Sequence, residues 1–297
     1  MSAQRLDGRA LAREIRAEVA QRAEAFTARA GRPPTLVSLL VGDDDASLSY
    51  ARSKARQAAK IGIDFRLERM AASDGTARIV NRIEALCASP DVDALIVEMP
   101  LPRGIDVAAV QDAIDPRRDA DGVSPDSLGR LAAQLPGPRP ATPLAVMALL
   151  DAAEVDLSGK RAVVVGRSKT VGLPAALMLL ARHATVTIVH SRTPDLTQRA
   201  READVLVVAT GRPGLIGPEA VGPGATVIDV GTNWVSEPSL DAGGRLVGDV
   251  DPAAAEVAGL MSPVPGGVGP VTTAVLLRTT LSLAEAGIAE PAGTHEA

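Results

Sequence analysis

Short apolar runs of strand length alternate with stretches of helical periodicity along almost the whole chain. That alternation constrains the fold more than any other feature of the sequence. Apolar residues recur at helical spacing from Leu11 to about Ala28 and again in Ala51–Ile61, Ile79–Leu86 and Val107–Ile114. Between them lie Thr35–Val41 (TLVSLLV), Ile63–Met70 and Ala94–Val97 (ALIV), each bounded by Gly, Pro or Asp. Strands that take turns with helices pair through crossovers, and crossovers make parallel sheets. A second series follows in Arg161–Val165, Thr185–Val189, Val205–Val208 and Thr226–Val230, with a helical pattern at Leu173–Ala181. These runs are largely apolar, as expected of strands covered on both faces. The fold class is α/β, and the second series reads as a dinucleotide-binding unit of Rossmann type.

The 297 residues suffice for two domains of ordinary size. Leu135-Pro-Gly-Pro-Arg-Pro-Ala-Thr-Pro is too stiff for a helix interior, whereas Thr142-Pro143 suits the N-cap and first position of a helix running to Ala153. The boundary is therefore set here, with residues 1–140 in one α/β domain and 141–270 in the dinucleotide-binding domain. Ser262-Pro-Val-Pro-Gly-Gly-Val-Gly-Pro forms another stiff loop before a C-terminal helix over 271–286, and the tail from Gly287 is expected to fray.

The formal charge is −5, with 31 basic and 36 acidic residues well mixed, so no basic patch is offered to nucleic acid or to an anionic membrane. Four aromatic residues cannot build a base-stacking platform. A small molecule is the expected partner. Cys87 stands alone and has no partner for an intramolecular disulfide; its helical spacing with Ile83 makes it a core residue. The charged start MSAQRLDGRALAREIRAEV lacks the apolar stretch of a secretory signal, and no apolar run reaches a membrane span. The expected compartment is the cytoplasm. His183, His190 and His295 show no metal-ligand spacing with one another or with the cysteine, so no metal is expected.

Val163-Val-Val-Gly-Arg-Ser-Lys-Thr-Val-Gly172 is a strand, a glycine turn and a helix start, where backbone N–H groups can face a pyrophosphate. A tight connection needing positive φ at glycine explains the same residues equally well. The following strand discriminates. A strand serving NAD would end in an acid for the ribose 2′-hydroxyl, but Thr185–Val189 runs into His190-Ser191-Arg192-Thr193. Ser191 and Arg192 suit a 2′-phosphate, which makes the expected cofactor NADP. Tyr50 lies four residues before Lys54 on one helix face, placed by the preceding strand at the C-terminal sheet edge. The pair serves either as a stacking ring with an acid/base amine, or as a ring on the core with a snorkelling charge. Glu98-Met-Pro-Leu-Pro102 leaves strand Ala94–Val97 at the same edge. In Asp119-Ala-Asp121-Gly122 the carboxylates serve either a ligand's amino group or Asx-turns.

Taken in order, YxxxK, V-x-x-P-L-P, D-x-D-G, GRSxxVG, HSRT and PVPGGVGP-x-T span nearly the whole chain. Together they resemble the bifunctional methylenetetrahydrofolate dehydrogenase/methenyltetrahydrofolate cyclohydrolase family. The resemblance implies two α/β domains with a cleft between them, a C-terminal helix returning to the first domain, and a homodimer formed through the dinucleotide domains. It implies NADP-linked oxidation of 5,10-methylenetetrahydrofolate to the methenyl cation and hydrolysis of that cation to 10-formyltetrahydrofolate, a step of one-carbon metabolism that supplies purine biosynthesis. By position, Tyr50 would stack on folate, Lys54 would be the acid/base group, and Asp121 would bond the pterin. Pro100, Leu101, Pro265, Gly266 and Gly267 would shape the substrate site. Gly166, Arg167, Ser168, Val171, Gly172, Ser191, Arg192 and Thr232 would hold NADP.

The chain departs from the family pattern on the folate side. Glu98 stands where the family has glutamine, Val123 replaces an aromatic, and Ser127 replaces asparagine. Ala141 and Ala145 stand where cysteine and glycine are common. A carboxylate within about 4–6 Å of Lys54 would favour its ammonium form and leave less free amine to activate water, so Glu98 is expected to weaken hydrolysis more than oxidation. A Glu98 kept protonated by desolvation would instead mimic glutamine. Two rival functions follow from the altered side: an NADP-dependent dehydrogenase of another small substrate, and a non-catalytic paralogue that binds folate or nucleotide. The joint presence of Tyr50, Lys54 and Asp121 disfavours the second.

Overall fold

Every residue of the strand Thr35–Val41 is buried, as its uninterrupted apolar pattern demands of a strand covered on both faces. In the computed structural model, which describes residues 3–237 and 243–289, the chain begins with β1 (Gln4–Arg5), α1 (Gly8–Ala30), β2 (Thr35–Val41), α2 (Asp45–Ala59) and β3 (Asp64–Met70). It continues through α3 (Gly75–Ala88), β4 (Ala94–Val97), α4 (Val107–Asp112) and α5 (Pro125–Ala132). The second half holds α6 (Ala141–Ala152), β5 (Arg161–Val165), α7 (Gly172–Ala181), β6 (Thr185–Val189), α8 (Leu196–Arg201), β7 (Val205–Val208) and β8 (Thr226–Asp229). A hairpin of β9 (Asn233–Ser236) and β10 (Gly244–Val247), the short β11 (Leu260–Met261) and α9 (Val268–Ala289) complete it. Among the described residues no helix is long and apolar enough to cross a membrane. The chain divides into two units, one of residues 14–130, 136–139 and 274–289, the other of 3–13, 131–135 and 140–273.

In the first of these units, three parallel strands lie in the order β3-β2-β4. Alternate residues of β2 face opposite ways. Val37, Leu39 and Val41 join Leu95 and Val97 of β4 and Ile79, Ile83 and Leu86 of α3 in one core, with Cys87 packed at its margin. Ser38 faces the other way, in register with Leu67 of β3 and Ile96 of β4. The segment before Asp121 extends the sheet: Asp119 bridges Leu95 in parallel, and Leu95 N–H donates to Arg118 O at 2.6 Å. Arg22 of α1 pairs with Glu285 of α9 at 2.6 Å.

The second unit carries a parallel sheet in the order β1-β11-β8-β7-β5-β6. The chain runs outward from β5 to β6 and then returns to β7 on the other side of β5. The loops after β5 and β7 therefore diverge across a crevice, the usual ligand position of such a sheet. Its core is built from Val163, Val165, Leu206, Val208, Ile216 and Val227 among other aliphatic residues.

Several boundaries differ from those that spacing predicts. Helix α6 starts at Ala141, before Thr142-Pro143, with Pro140 as its cap; proline fits anywhere in a first turn, where N–H groups have no intrahelical acceptor. Helix α9 starts at Val268 and includes Gly287–Ala289, so helix replaces the fraying predicted from Gly287; the rest of the tail, with His295, lies outside the described residues. Strands β1 and β11 have two residues each, too few to show a period.

Candidate active site

Helix α2 buries Ser47, Ala51, Lys54 and Ala58, the i, i+4, i+7, i+11 stripe that faces the sheet. Lys54 thus occupies a core position, and Tyr50, one turn earlier, is 50% exposed. This inverts the structural alternative of a buried ring with a snorkelling charge. The helix start is fixed by Asp44, whose side chain accepts from Ser47 N–H at 2.7 Å. The ammonium lies 5.3 Å from the centre of the Tyr50 ring, within cation–π range.

Glu98 follows β4 by one residue and lies two positions beyond Ile96, on the face that carries Ser38. Its N–H donates to Leu39 O at 2.9 Å, which continues the strand pairing and fixes the backbone. Lys54 Nζ stands 2.7 Å from Glu98 Oε1 and 2.8 Å from Oε2. Ser38 Oγ donates to Oε1 at 2.6 Å. All three side chains are buried. Glu98 lies just past the C-terminal end of β4, and its carboxylate reaches back to Ser38 at the centre of β2.

Asp121 completes the cluster. Desolvation pushes its carboxyl up to about 7; Lys54 opposes the rise, and the like charges of Asp119 and Glu98 add to it. Asp119, fully buried, spends its oxygens on Val123 N–H at 3.1 Å and Ser124 N–H at 2.8 Å. Of the two carboxylates in Asp119-Ala-Asp121, the first shapes the turn and the second faces the charges of Lys54 and Glu98. Burial, followed by the charge of Glu98, raises the Tyr50 phenol. Pro100 is exposed beyond Glu98, and Leu101 packs against the aliphatic core.

In the dinucleotide unit the residues proposed for NADP lie on loops at one sheet edge. Gly166 ends β5 at φ +124°, and a Cβ there would stand 2.2 Å from Ala209 O. A Cβ on Gly172 would stand 2.4 Å from Gly166 O. Both positions therefore require glycine for the tight connection. Ser168 Oγ accepts from Val171 N–H at 3.2 Å and Gly172 N–H at 3.3 Å, which fixes the loop against the start of α7. Exposed Arg167 and Ser168 follow the glycine. Val165 of β5 is in register with Val189 of β6, so the exposed Ser191 and Arg192 emerge beside this loop. His190 braces them: its Nδ1 accepts from Arg192 N–H at 3.2 Å, and its own N–H donates to Thr193 Oγ1 at 2.9 Å. Thr232 follows β8 at the same edge and is exposed. The exposed side chains of Arg167, Ser168, Ser191 and Arg192 at this edge fit a dinucleotide with an extra phosphate.

The Pro263–Pro270 loop lies in this unit as well. Gly267 N–H donates to Pro263 O at 2.7 Å, and Gly266 has φ +111°. A Cβ on Gly8 would stand 1.8 Å from Gly267 O, so the first residue of α1 abuts the loop by backbone alone. Pro265 is exposed.

Three residues at these sites carry no signal in the sequence. Ser38 lies inside an apolar run. Asp229 and Asp249 are both buried. Asp249 Oδ2 accepts from Thr210 N–H at 2.6 Å and Gly211 N–H at 2.9 Å, and Oδ1 accepts from Asn233 Nδ2 at 2.8 Å. Asp229 accepts from Gly231, Asp249 and Val250 N–H groups; desolvation nonetheless pushes its carboxyl up to about 6. The two acids anchor the loops after β7, β8 and β10. A Val-Gly-Asp-Val pattern does not distinguish such an anchor from a turn.

Comparison with known proteins agrees with this geometry. Residues 6–121 match the tetrahydrofolate dehydrogenase/cyclohydrolase catalytic domain, and residues 140–287 match the NAD(P)-binding domain of the same family. Bifunctional protein FolD of Sorangium cellulosum (strain So ce56) is 50% identical over 292 residues, 98% of this chain and 100% of that one. The Trypanosoma brucei N5,N10-methylenetetrahydrofolate dehydrogenase-cyclohydrolase, solved with NADP cofactor and inhibitor, superimposes with a TM-score of 0.93 at 38% identity, covering 98% of this chain and 100% of that one. The FolD enzyme of Campylobacter jejuni gives 0.91 at 36% identity over 96% and 99%. The chain belongs to the tetrahydrofolate dehydrogenase/cyclohydrolase family of bifunctional enzymes.

Proposed function

We propose that the chain oxidises 5,10-methylenetetrahydrofolate to 5,10-methenyltetrahydrofolate with NADP as cofactor and hydrolyses the product to 10-formyltetrahydrofolate. The observation that carries this reading is the buried Lys54–Glu98 pair with Tyr50 and Asp121 beside it at one sheet edge. Folate binding is assigned to residues 1–140 with the helix 271–286 and NADP binding to 141–270, with residues 3–13 and 131–135 packed in the unit of the second sheet. When bound, NADP supplies the hydride acceptor.

The chain's own residues do the rest. The half-exposed Tyr50 ring offers a face for the pterin. Asp121 accepts from the pterin's amino and ring N–H donors. Glu98 holds Lys54 in place and sets a negative charge where the methenyl cation develops, which eases oxidation. Lys54 is the acid/base group of hydrolysis. Pro100, Leu101, Pro265, Gly266 and Gly267 shape the substrate site. Gly166, Arg167, Ser168, Val171 and Gly172 hold the pyrophosphate, Ser191 and Arg192 take the 2′-phosphate, and Thr232 lies along the cofactor. A cytoplasmic homodimer formed through the dinucleotide domains belongs to the same reading; the exposed Trp234 on the β9–β10 hairpin supports it.

The test is incubation with 5,10-methylenetetrahydrofolate and NADP+ while NADPH and the methenyl chromophore are followed together. NADPH formation with a transient methenyl signal is expected. Absence of NADPH with this substrate, alongside tight NADP binding, would favour a dehydrogenase of another small molecule.

A further inference from the structure

Ser38 is the feature of the active site that the reaction described so far leaves unused. It sits at the centre of β2 with no exposure, where a hydroxyl is costly unless it is bonded. Its register neighbours Leu67 and Ile96 offer no polar group. The hydroxyl donates to Glu98 Oε1 at 2.6 Å, the same oxygen that Lys54 Nζ reaches at 2.7 Å.

We propose that Ser38 is a positioning residue that acts through Glu98: its hydroxyl fixes the carboxylate as an acceptor, so that Lys54 is held in one geometry. The proposal rests on the assignment of Lys54 and Glu98 to the active site. A carboxylate has only acceptors, and a serine hydroxyl supplies one donor. An amide at position 98 carries its own donor, which cannot face the lysine ammonium and must turn to Ser38, reversing that bond. The serine and the acid are thus matched as donor and acceptor, on the side of the site where the chain departs from its family.

Donation from Ser38 stabilises the charged form of Glu98. The other charged or titratable groups around it are Lys54 and Tyr50 from α2, and Asp121 with Asp119 from the segment beside β4. Removing the hydroxyl leaves all of these in place. Ser38→Ala therefore raises the pH at which Glu98 takes up its proton by about one pH unit, the scale of one lost charge-assisted hydrogen bond.

The experiment is a carbon-13 NMR titration of the glutamate carboxyls in the ligand-free chain, with the Glu98 signal identified by its loss in Glu98→Gln. It is run beside the pH profile of kcat for NADPH formation in wild type, Ser38→Ala, Ser38→Thr, Glu98→Gln and the double variant Ser38→Ala/Glu98→Gln. The Glu98 midpoint and the acid limb of kcat should rise together in Ser38→Ala and return towards wild type in Ser38→Thr, with KM for NADP unchanged. In the Glu98→Gln background, Ser38→Ala should no longer move the limb. An unmoved Glu98 midpoint in folded Ser38→Ala overturns the proposal. So does an equal shift of the limb with and without Glu98, which would assign it to Asp121. A midpoint that moves in a chain making no NADPH upholds the hold of Ser38 on Glu98 and counts against the proposed reaction.

Discussion

Lys54 Nζ stands within hydrogen-bond distance of both carboxylate oxygens of Glu98, at 2.7 Å and 2.8 Å, with both side chains in the interior. The family pattern has a neutral glutamine at this position. A carboxylate engages the lysine through charge-assisted bonds that glutamine's single carbonyl cannot match. Breaking such a pair one partner at a time is expensive, because the remaining charge stays buried.

In the proposed function, that pairing should separate the two activities. Hydrolysis of the methenyl cation needs a group free to accept a proton from water, and an ammonium committed to two carboxylate oxygens is not free. Glu98→Gln is expected to raise hydrolysis of added methenyltetrahydrofolate by roughly tenfold, a part of the roughly 100- to 10,000-fold that a positioned acid or base contributes in full. NADPH formation should change less. Stopped-flow decay of the methenyl chromophore measures the first rate; a wild type already as fast as the variant refutes the argument.

With Asp121 as the proposed pterin ligand, folate binding and stability should respond to pH in opposite directions. Its folded-state carboxyl titrates at about 7, above the ordinary 3.8. Between these values the folded chain keeps a proton that the unfolded chain has released. Its contribution to stability is therefore complete below about pH 4 and is lost as pH rises to about 7. Asp121→Asn should lose less thermal stability than wild type between pH 5 and 8. Pairing with pterin N–H donors needs the ionised carboxylate, so KM for folate should fall in wild type as pH rises through about 7 and stay flat in Asp121→Asn. Tyr50→Ala should raise KM for folate at every pH and leave NADP affinity unchanged.

In the proposed function, cofactor choice rests on Arg192. Its side chain is exposed, and its backbone N–H is held by His190 Nδ1 beside the β5 loop. Arg192→Ala should weaken NADP by no more than about 1.5–3 kcal/mol, the scale of one hydrogen bond to a charged group, with a smaller loss at high salt. NAD affinity should hardly change. Calorimetric titration of both cofactors checks this, and equal wild-type affinities would contradict it.

Gly8 tests how closely the first turn of α1 is fitted to the glycine loop. An added Cβ would stand 1.8 Å from Gly267 O, a backbone atom that cannot swing aside. Gly8→Ala should destabilise the chain by about 1–3 kcal/mol, as overpacking does, and lower kcat through the displaced loop. Gly269→Ala is the control, since its Cβ would meet nothing within 4 Å. Thermal melting of both variants decides.

Local order determined what the sequence alone could reveal. The alternation of apolar runs with helical periods is a property of neighbouring residues, so it identified the α/β class, the strands Thr35–Val41, Ala94–Val97 and Arg161–Val165, and the strand–glycine–helix turn at Gly166. The absence of an acid after β6 pointed to NADP in the same local way. Tyr50 and Lys54 were legible as a pair because four residues make one helical turn. Only the tertiary structure decided which of the two is buried, since that depends on which stripe of α2 meets the sheet. Ser38 and Glu98 are sixty residues apart, and no spacing rule connects them; parallel pairing of β2 with β4 brings them together. Asp249 binds the loop after β7 across a gap of 39 residues, and Gly8 meets Gly267 from the far end of the chain. Periodicity records how a segment faces its surroundings, whereas the partner it finds there is set by sheet order and register, which exist only once the chain has folded.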